Sequence, residues 1–276
     1  MIPHSHNGKA GINLPLISAD DWGMSPGINE GILDLASRRI VRRVSILATG
    51  SFIEYGLTEL RALSALALGL HFSLTFGATR LGDQIRILAM GGQFHLSPGR
   101  IALRYLLSGP SRQKQLSGEV NLLLREQLAG LKAHAISPEY LDGHHHIHQV
   151  PGIMEAMLPV LREVGMTRVR VGWDPARLLS RVSPAIILAL RARLKWRKWG
   201  LTFLPFVYPT ERDYRDEQLL RRIVARTGGY ELVVHPAARD DIPELRIADH
   251  YTRNRVREYQ ALRSLESLFS HEKGPA

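Results

Sequence analysis

The 276-residue sequence predicts a parallel α/β fold built as one domain. From about residue 14 onward, short apolar runs typical of strands alternate with amphipathic patterns typical of helices, the order found in βαβ units. The chain is 45% hydrophobic, which at this length is enough for one large core. A third observation is that polar residues follow the ends of several predicted strands. We therefore expect residues 1–276 to form a single domain.

The first part of the chain predicts three strands and two helices. Residues 14–21 form an apolar run that ends in two acids. Ser25 is a suitable N-cap for the following helix, and Pro26 occupies its first position. The next predicted elements are a strand at 41–50, a helix at 57–67 and a strand at 67–77.

The remainder continues the alternation after an irregular stretch. Residues 78–118 predict mainly loops, because glycine, proline and serine interrupt the apolar pattern. An amphipathic helix is predicted over 117–135, and a strand followed by its terminal loop over 138–148. The later predicted elements are a helix at 151–165, a strand at 166–173, a basic helix at 176–200, a strand at 229–237 and a closing helix at 249–270.

Four polar clusters come at or just after the carboxyl ends of predicted strands. They are the Asp20–Asp21 pair, His71, the histidines of 144–148 and His235. In parallel α/β folds, ligands and catalytic groups gather at this edge. The coincidence of four clusters at one edge predicts an enzyme.

The sequence "YLDGHHHIHQ" is the strongest of these signals. In an extended segment, His144, His146 and His148 would point to one side and His145 to the other. Asp142 could fix the second ring nitrogen of a ligating histidine. A solvent-exposed loop is the alternative, although the position between a strand and a helix favours function.

The other clusters are weaker signals when taken singly. Asp20 and Asp21 could divide between metal binding and general base catalysis, or they could be a cap and a turn residue. His71 could be a buried core residue, and His235 could protonate a leaving group or be structural. The chain has no cysteine, so a metal would be held by histidine, carboxylate or water.

The positive charge is concentrated late in the chain. Residues 162–226 contain 15 Lys/Arg and 6 Asp/Glu, which accounts for most of the net charge of +10. Such a patch could attract nucleic acid, anionic lipid or a phosphorylated substrate, or it could be a solvated arginine-rich surface. No signal peptide and no apolar run long enough to span a bilayer is visible, which leads us to expect a cytoplasmic protein.

Residues 174–200 allow two interpretations. As a helix, they could lie flat on an anionic membrane at its inner face, with Trp196 and Trp199 as anchors. They could equally be a barrel helix that packs its leucines inward and shows its cations to water. Three of those cations share one face: Arg191, Lys195 and Lys198.

Four motifs resemble, in order, those of the YdjC-like carbohydrate deacetylases. They are "ISADDWGMSPGINEGI", "GLHFSLT", "LDGHHHIH" and "VVHPA", and the resemblance extends from about residue 14 to 260. That family includes chitooligosaccharide deacetylases and a deacetylase associated with hopanoid biosynthesis. The resemblance implies a distorted (β/α) barrel of the polysaccharide-deacetylase-like type, with parallel strands and outer helices.

The resemblance also implies roles for individual residues. Asp20 would be the general base and His235 the general acid. One divalent metal ion, Mg²⁺ or Zn²⁺, would be held by Asp21, His71 and His144. Trp22 stands where the family usually has phenylalanine, and Arg168 competes with Arg170 for the family's arginine. The substrate-binding residues would be His146, His148, Asp142, Arg170 and Trp22.

The implied reaction is metal-dependent hydrolysis of the N-acetyl group of an amino sugar, releasing acetate. The basic segment suggests a lipid-linked sugar as one form of the substrate. One alternative is a metal-dependent phosphoesterase, although those barrels usually carry a His-x-His pair where this chain has Asp20–Asp21. A second is a non-catalytic nucleic-acid binder, but no recognition motif for one is present, so we expect no nucleic acid. A homodimer is the default expectation for oligomeric state.

Overall fold

The computed structural model describes residues 15–150, 152–171, 196–204, 206–209, 213–226, 231–241 and 252–269. The strands in these ranges are β1 (Leu16–Trp22), β2 (Arg43–Ile46), β3 (Ala67–Phe72), β4 (Ala89–Met90), β5 (Gln93–Phe94), β6 (Tyr140–Gly143), β7 (Arg168–Arg170), β8 (Thr202–Leu204), β9 (Phe206–Val207) and β10 (Glu231–Val234). The helices are α1 (Pro26–Ser37), α2 (Leu57–Ala62), α3 (Pro98–Leu107), α4 (Pro110–Ala133), α5 (Ile153–Glu163), α6 (Glu217–Arg226), α7 (Thr252–Arg263) and α8 (Glu266–Phe269).

The parallel strands follow one another around a closed ring. Their order is β8-β7-β6-β3-β2-β1-β10-β9, and every neighbouring pair in it is parallel. Because β8 ends at Leu204 and β9 begins at Phe206, a single stretch of chain pairs with β7 on one side and with β10 on the other. The fold is therefore a distorted (β/α) barrel, as the sequence predicted.

The first helix shows how local signals position elements around this barrel. The backbone N–H of Ile28 donates to Ser25 Oγ at 3.1 Å, so Ser25 is the N-cap, with Pro26 following it. A Cβ on Gly31 would lie 2.7 Å from the backbone nitrogen of Ala238, so glycine permits α1 to approach the loop after β10 closely.

The region predicted as irregular is the main error in the sequence-based elements. Residues 98–107 form α3, and α4 already begins at Pro110. Ser97 and Pro98 give a proper start signal for α3, but the serine, proline and glycine residues at both of its ends favoured a loop assignment. The closing helix, predicted over 249–270, is divided into α7 and α8.

The basic segment predicted at 174–200 lies outside the described residues except for 196–200. Within that short part, the Trp196 side chain is buried in the core and Trp199 packs against it. The proposed role of Trp196 as an exposed membrane anchor is therefore corrected, because its ring has no free surface. In the ranges that the structure describes, no helix combines the length and the apolar character needed to cross a bilayer.

Candidate active site

The carboxyl edge of the barrel brings together side chains from β1, β3 and β6. His71 on β3 is the direct neighbour of Asp142 on β6 in the parallel register. Pairing between β1 and β2 is irregular between Ala19 and Trp22, and Asp21 has a left-handed backbone with φ of 74°. This irregularity lets Asp20 and Asp21 face the same site although they are consecutive. The predicted convergence of these residues is thus observed.

Asp21, His71 and His144 form a compact set of possible metal ligands. Asp21 Oδ1 lies 3.2 Å from His71 Nε2 and 2.9 Å from His144 Nδ1. All three side chains are buried, and one donor atom from each lies within 4.8 Å of the others.

The surroundings of His71 support this interpretation. Asp142 Oδ1 accepts from His71 Nδ1 at 2.6 Å, which directs Nε2 towards Asp21 and His144. Burial disfavours the charged ring, but Asp142 and Asp20 outweigh it and raise the pKa of His71 to about 10, so a cation that binds at Nε2 must displace the proton held there. A set of one carboxylate and two imidazoles, one of them backed by a second carboxylate, fits a divalent cation such as Zn²⁺.

Arg255 on α7 holds the other oxygen of Asp21. Its Nη2 lies 2.5 Å from Asp21 Oδ2, and its Nη1 lies 3.3 Å from the carbonyl oxygen of His235. Burial alone would raise the pKa of Asp21, but Arg255 and His144 hold that pKa well below its usual range. The sequence analysis missed Arg255, although its spacing from Glu258 and Leu262 on one helix face was an available signal.

A buried guanidinium connects the carboxylates beneath the site. Arg170 is 1% exposed, and its Nη1 lies 2.6 Å from Asp20 Oδ2 and 2.7 Å from Asp142 Oδ2. Its Nη2 donates to Glu231 Oε1 at 2.8 Å and to Ser18 Oγ at 2.6 Å. Substrate contact was predicted for Arg170 and Asp142, but both side chains lie where they position other site residues.

Asp20 has one oxygen engaged and one available. Its Oδ2 accepts from Arg170, whereas its Oδ1 is buried and has no hydrogen-bond partner among the described residues. Burial raises the pKa of Asp20 to about 6, against the opposing charge of Arg170. A buried carboxylate with a free oxygen is a suitable proton acceptor.

The histidine cluster is a turn at the end of β6, so the alternation of side chains expected for an extended segment does not occur. Residues His144–Gln149 form a 3₁₀ turn, within which His145 and His146 have left-handed φ values of 53° and 54°. Two such residues reverse the chain directly after β6. The side chains consequently diverge instead of alternating, and His145 lies with its Nδ1 2.9 Å from Thr75 Oγ1.

His148 points into the barrel. It is fully buried, and its Nε2 donates to the carbonyl oxygen of Arg170 at 2.6 Å. Burial lowers the pKa of His148 to about 4, so the ring is neutral near pH 7. A Cβ on Gly143 would lie 2.6 Å from His148 Nδ1, which shows how closely the ring packs on β6. Its predicted role in substrate binding has no support from this position.

An aromatic wall stands beside the site, formed by His146, Phe206, Tyr208 and His235. The Tyr208 hydroxyl is hydrogen bonded to His146 Nε2 at 2.6 Å, and the Tyr208 ring stacks on His235 with centroids 5.7 Å apart. His146 stacks on Phe206 at 5.3 Å. The predicted acid and one predicted substrate residue are thus joined through Tyr208, which the sequence analysis did not single out.

Trp22 is not brought into this site. Its side chain is fully buried in the core, and its indole N–H donates to the carbonyl oxygen of Ile53 at 3.0 Å. The predicted substrate contact is therefore replaced by a packing role, which is consistent with the phenylalanine usual at this position in the family that the sequence resembles.

Known proteins resemble this chain in sequence and in fold. A carbohydrate deacetylase from Halalkalibacterium halodurans is 26% identical over 255 residues, which cover 90% of this chain and 94% of that protein. A carbohydrate deacetylase from Xenopus laevis is 28% identical over 181 residues, or 59% of this chain and 55% of that protein. The structure of a proposed cellobiose-phosphate cleavage protein from Enterococcus faecalis V583 superposes with a TM-score of 0.63 at 20% identity, covering 92% of this chain and 94% of that one.

The last of these likenesses concerns the fold alone, because its sequence identity is low. The family model described as YdjC-like protein matches residues 16–268, a range that contains all the candidate site residues. The chain belongs to the YdjC-like protein family.

Proposed function

We propose that this chain is a metal-dependent carbohydrate N-deacetylase, which hydrolyses the acetamide of an amino sugar to acetate and a free amine. The observation that carries the proposal is the free oxygen of Asp20 beside the Asp21, His71 and His144 donor set. The names of the similar deacetylases from other organisms support the choice of an acetylated sugar as substrate.

The ligand set and the base have separate roles in this proposal. Asp21, His71 and His144 would hold the cation, which when bound polarises an acetyl carbonyl and lowers the pKa of water. Asp20 accepts the proton of the attacking water at Oδ1, while Arg170 fixes the orientation of its other oxygen. Asp142 keeps His71 in the tautomer that presents Nε2 to the cation.

The aromatic wall would complete the site on the side of the sugar. His235 protonates the departing amine, and Tyr208 holds the rings of His235 and His146 in place. Flat rings also provide an apolar surface against which a sugar ring could pack. The sugar and its attachment to a lipid are left for experiment to identify.

Acetate release from a panel of N-acetylated sugars tests the proposal. The panel contains N-acetylglucosamine, chitobiose and a lipid-linked N-acetylglucosamine, each with metal-stripped chain and with the chain restored by Zn²⁺ or Mg²⁺. The deacetylase proposal would be supported by metal-dependent release of acetate that is lost in Asp20→Asn. The release should be kept in the control Asp83→Asn, because Asp83 is exposed. Phosphate release from a sugar phosphate without acetate from any sugar would favour the phosphoesterase instead.

A further inference from the structure

Exposed apolar side chains are concentrated on one part of the surface. We call Met90, Leu103, Leu106 and Leu107 the rim patch; their exposed fractions are 71%, 55%, 65% and 77%. They are four of the seven large apolar side chains that are exposed among the described residues. Arg104 on α3 donates to the carbonyl oxygen of Ile87 at 2.8 Å, which places α3 beside β4 and joins the patch into one surface. Such clustering marks an interaction site rather than scattered surface residues.

The surroundings of the rim patch are cationic. Residues 95–118 contain four Lys/Arg and no Asp or Glu. Arg100, Arg112 and Lys114 are exposed on α3 and at the start of α4, whereas Arg104 is engaged with Ile87. Glu119, the first acid that follows, is buried and accepts the backbone N–H groups of residues 86–88, so it offers no charge to the surface.

The rim patch lies on the outer side of α3 and β4, whereas the inner side of α3 packs near the candidate active site. Tyr105 faces inward from α3 and packs against Gly152, where a Cβ would lie 2.0 Å from the ring. Gly152 comes three residues after Gln149, the end of the turn that carries the site histidines. Thr75, in the segment after β3, contacts that turn: its hydroxyl lies 2.9 Å from His145 Nδ1. The helix that carries most of the rim patch therefore packs beside the segment that follows the histidine turn, and a surface bound to the patch would lie on that side of the barrel.

We propose that the rim patch docks the protein on an anionic lipid surface. Exposed leucines surrounded by cations match the boundary between acyl chains and anionic headgroups. A second copy of the chain is a poorer partner, because a two-fold contact would bring the cationic surroundings against themselves. Nucleic acid is also poorer, because its phosphates gain nothing from leucines and no aromatic ring is in the patch.

This inference rests on the proposed function and narrows its substrate class. A docked enzyme would act on an acetylated amino sugar whose glycolipid carrier is embedded in the bilayer. The headgroup sugar would reach the site from the membrane side, while the carrier stays in the lipid. A soluble oligosaccharide would need no docking.

Co-sedimentation of the full chain with vesicles tests the docking. Vesicles of phosphatidylcholine with 25% phosphatidylglycerol are compared with pure phosphatidylcholine, at low and high salt. The double variant Leu106→Ser/Leu107→Ser removes apolar surface, and Arg112→Gln/Lys114→Gln removes charge. The matched controls are Val164→Ser, an exposed aliphatic residue after α5, and Lys132→Gln/Arg168→Gln, two cations at the opposite edge of the barrel.

We expect the unaltered chain and both controls to bind the anionic vesicles, and each patch variant to bind them at least ten-fold more weakly. Acetate release from a soluble sugar should be unchanged in the leucine variant, which separates docking from catalysis and reports on correct folding. No vesicle binding by the unaltered chain would overturn the inference, as would equal binding by the patch variants. The inference would also be overturned if light scattering showed that the unaltered chain is a dimer, that the leucine variant is not, and that the unaltered chain does not bind vesicles.

The two proposals can fail separately. Vesicle binding without acetate from any sugar would leave the docking surface in place and remove the deacetylase. Acetate release from soluble sugars without vesicle binding would support the deacetylase and remove the docking surface.

Discussion

The guanidinium of Arg255 lies 2.5 Å from Asp21 Oδ2, on the side of that carboxylate opposite to His71 and His144. One oxygen of Asp21 is thereby fixed by α7, near the end of the described chain, while the other faces the two imidazoles. The same guanidinium also reaches the carbonyl oxygen of His235. The buried side chain of Arg255 thus links the ligand set to the backbone of the candidate acid.

We predict that Arg255→Gln weakens metal binding by about 10- to 100-fold, because the residue orients a ligand from behind. Competition with a fluorescent chelator for Zn²⁺ measures this without reference to activity. Arg263→Gln on the same helix is the matched control, since its guanidinium is half exposed and lies 3.6 Å from Asp34. Partial restoration of affinity by added guanidinium would distinguish positioning from a folding defect. Equal affinity in Arg255→Gln and the control would refute the role.

We predict that Arg170→Met strongly destabilises the protein. Three buried carboxylates, those of Asp20, Asp142 and Glu231, would lose a shared cation. Removal of one partner from a buried ionic network typically costs about 3–5 kcal/mol. The free energy of unfolding from urea denaturation measures the loss, and adding Glu231→Gln to the variant should recover part of it. A loss below about 1 kcal/mol would show that the network is not charged in the way that the contacts indicate.

We predict that His148 makes stability fall in mild acid. Its folded pKa is about 4, below the ordinary value of 6.5, because the ring is buried. As the pH falls, His148 therefore takes up its proton in the unfolded chain before it does so in the folded one. The contribution of neutral His148 to stability is complete above pH 6.5 and is lost as the pH falls from 6.5 towards 4. The full effect is on the order of 3 kcal/mol. His148→Gln should flatten the dependence of unfolding free energy on pH in this window, and an unchanged slope would contradict the assignment.

We predict that Tyr208→Phe lowers kcat by about ten-fold. The free energy of unfolding should change by only about 1 kcal/mol, the scale of one hydrogen bond. The ring that stacks on His235 would remain, but the hydroxyl that holds His146 at 2.6 Å would be lost. His146 has a left-handed backbone, so its orientation depends on such support. Steady-state kinetics on the best sugar of the panel would show the loss in kcat rather than KM. An effect on KM alone would assign Tyr208 to substrate binding.

Local patterns predicted the part of the site that lies on strands. Asp20, Asp21 and His71 were placed at one edge because strand ends can be identified from short apolar runs, and parallel strands end together. The direction of the side chains in the histidine turn could not be predicted, because nothing in the pattern marks non-glycine residues with positive φ. Arg255 and Tyr208 were missed for a different reason, since each reaches the site only through tertiary packing.

The ring closure could not be predicted either. β8 and β9 are short, and their pairing with β7 on one side and β10 on the other depends on strands far away in sequence. α3, which carries three of the four rim-patch residues, was missed because serine, proline and glycine flank it at both ends.

The most direct test of the account is the separation of metal binding from acetate release in Asp20→Asn. The Asp21, His71 and His144 set does not include Asp20, so this variant should bind Zn²⁺ nearly as tightly as the unaltered chain. It should nevertheless release acetate from the best sugar at least 100-fold more slowly, on the scale of losing a general base. Acetate release at the unaltered rate would contradict the assignment of Asp20, and with it the proposed chemistry of the site.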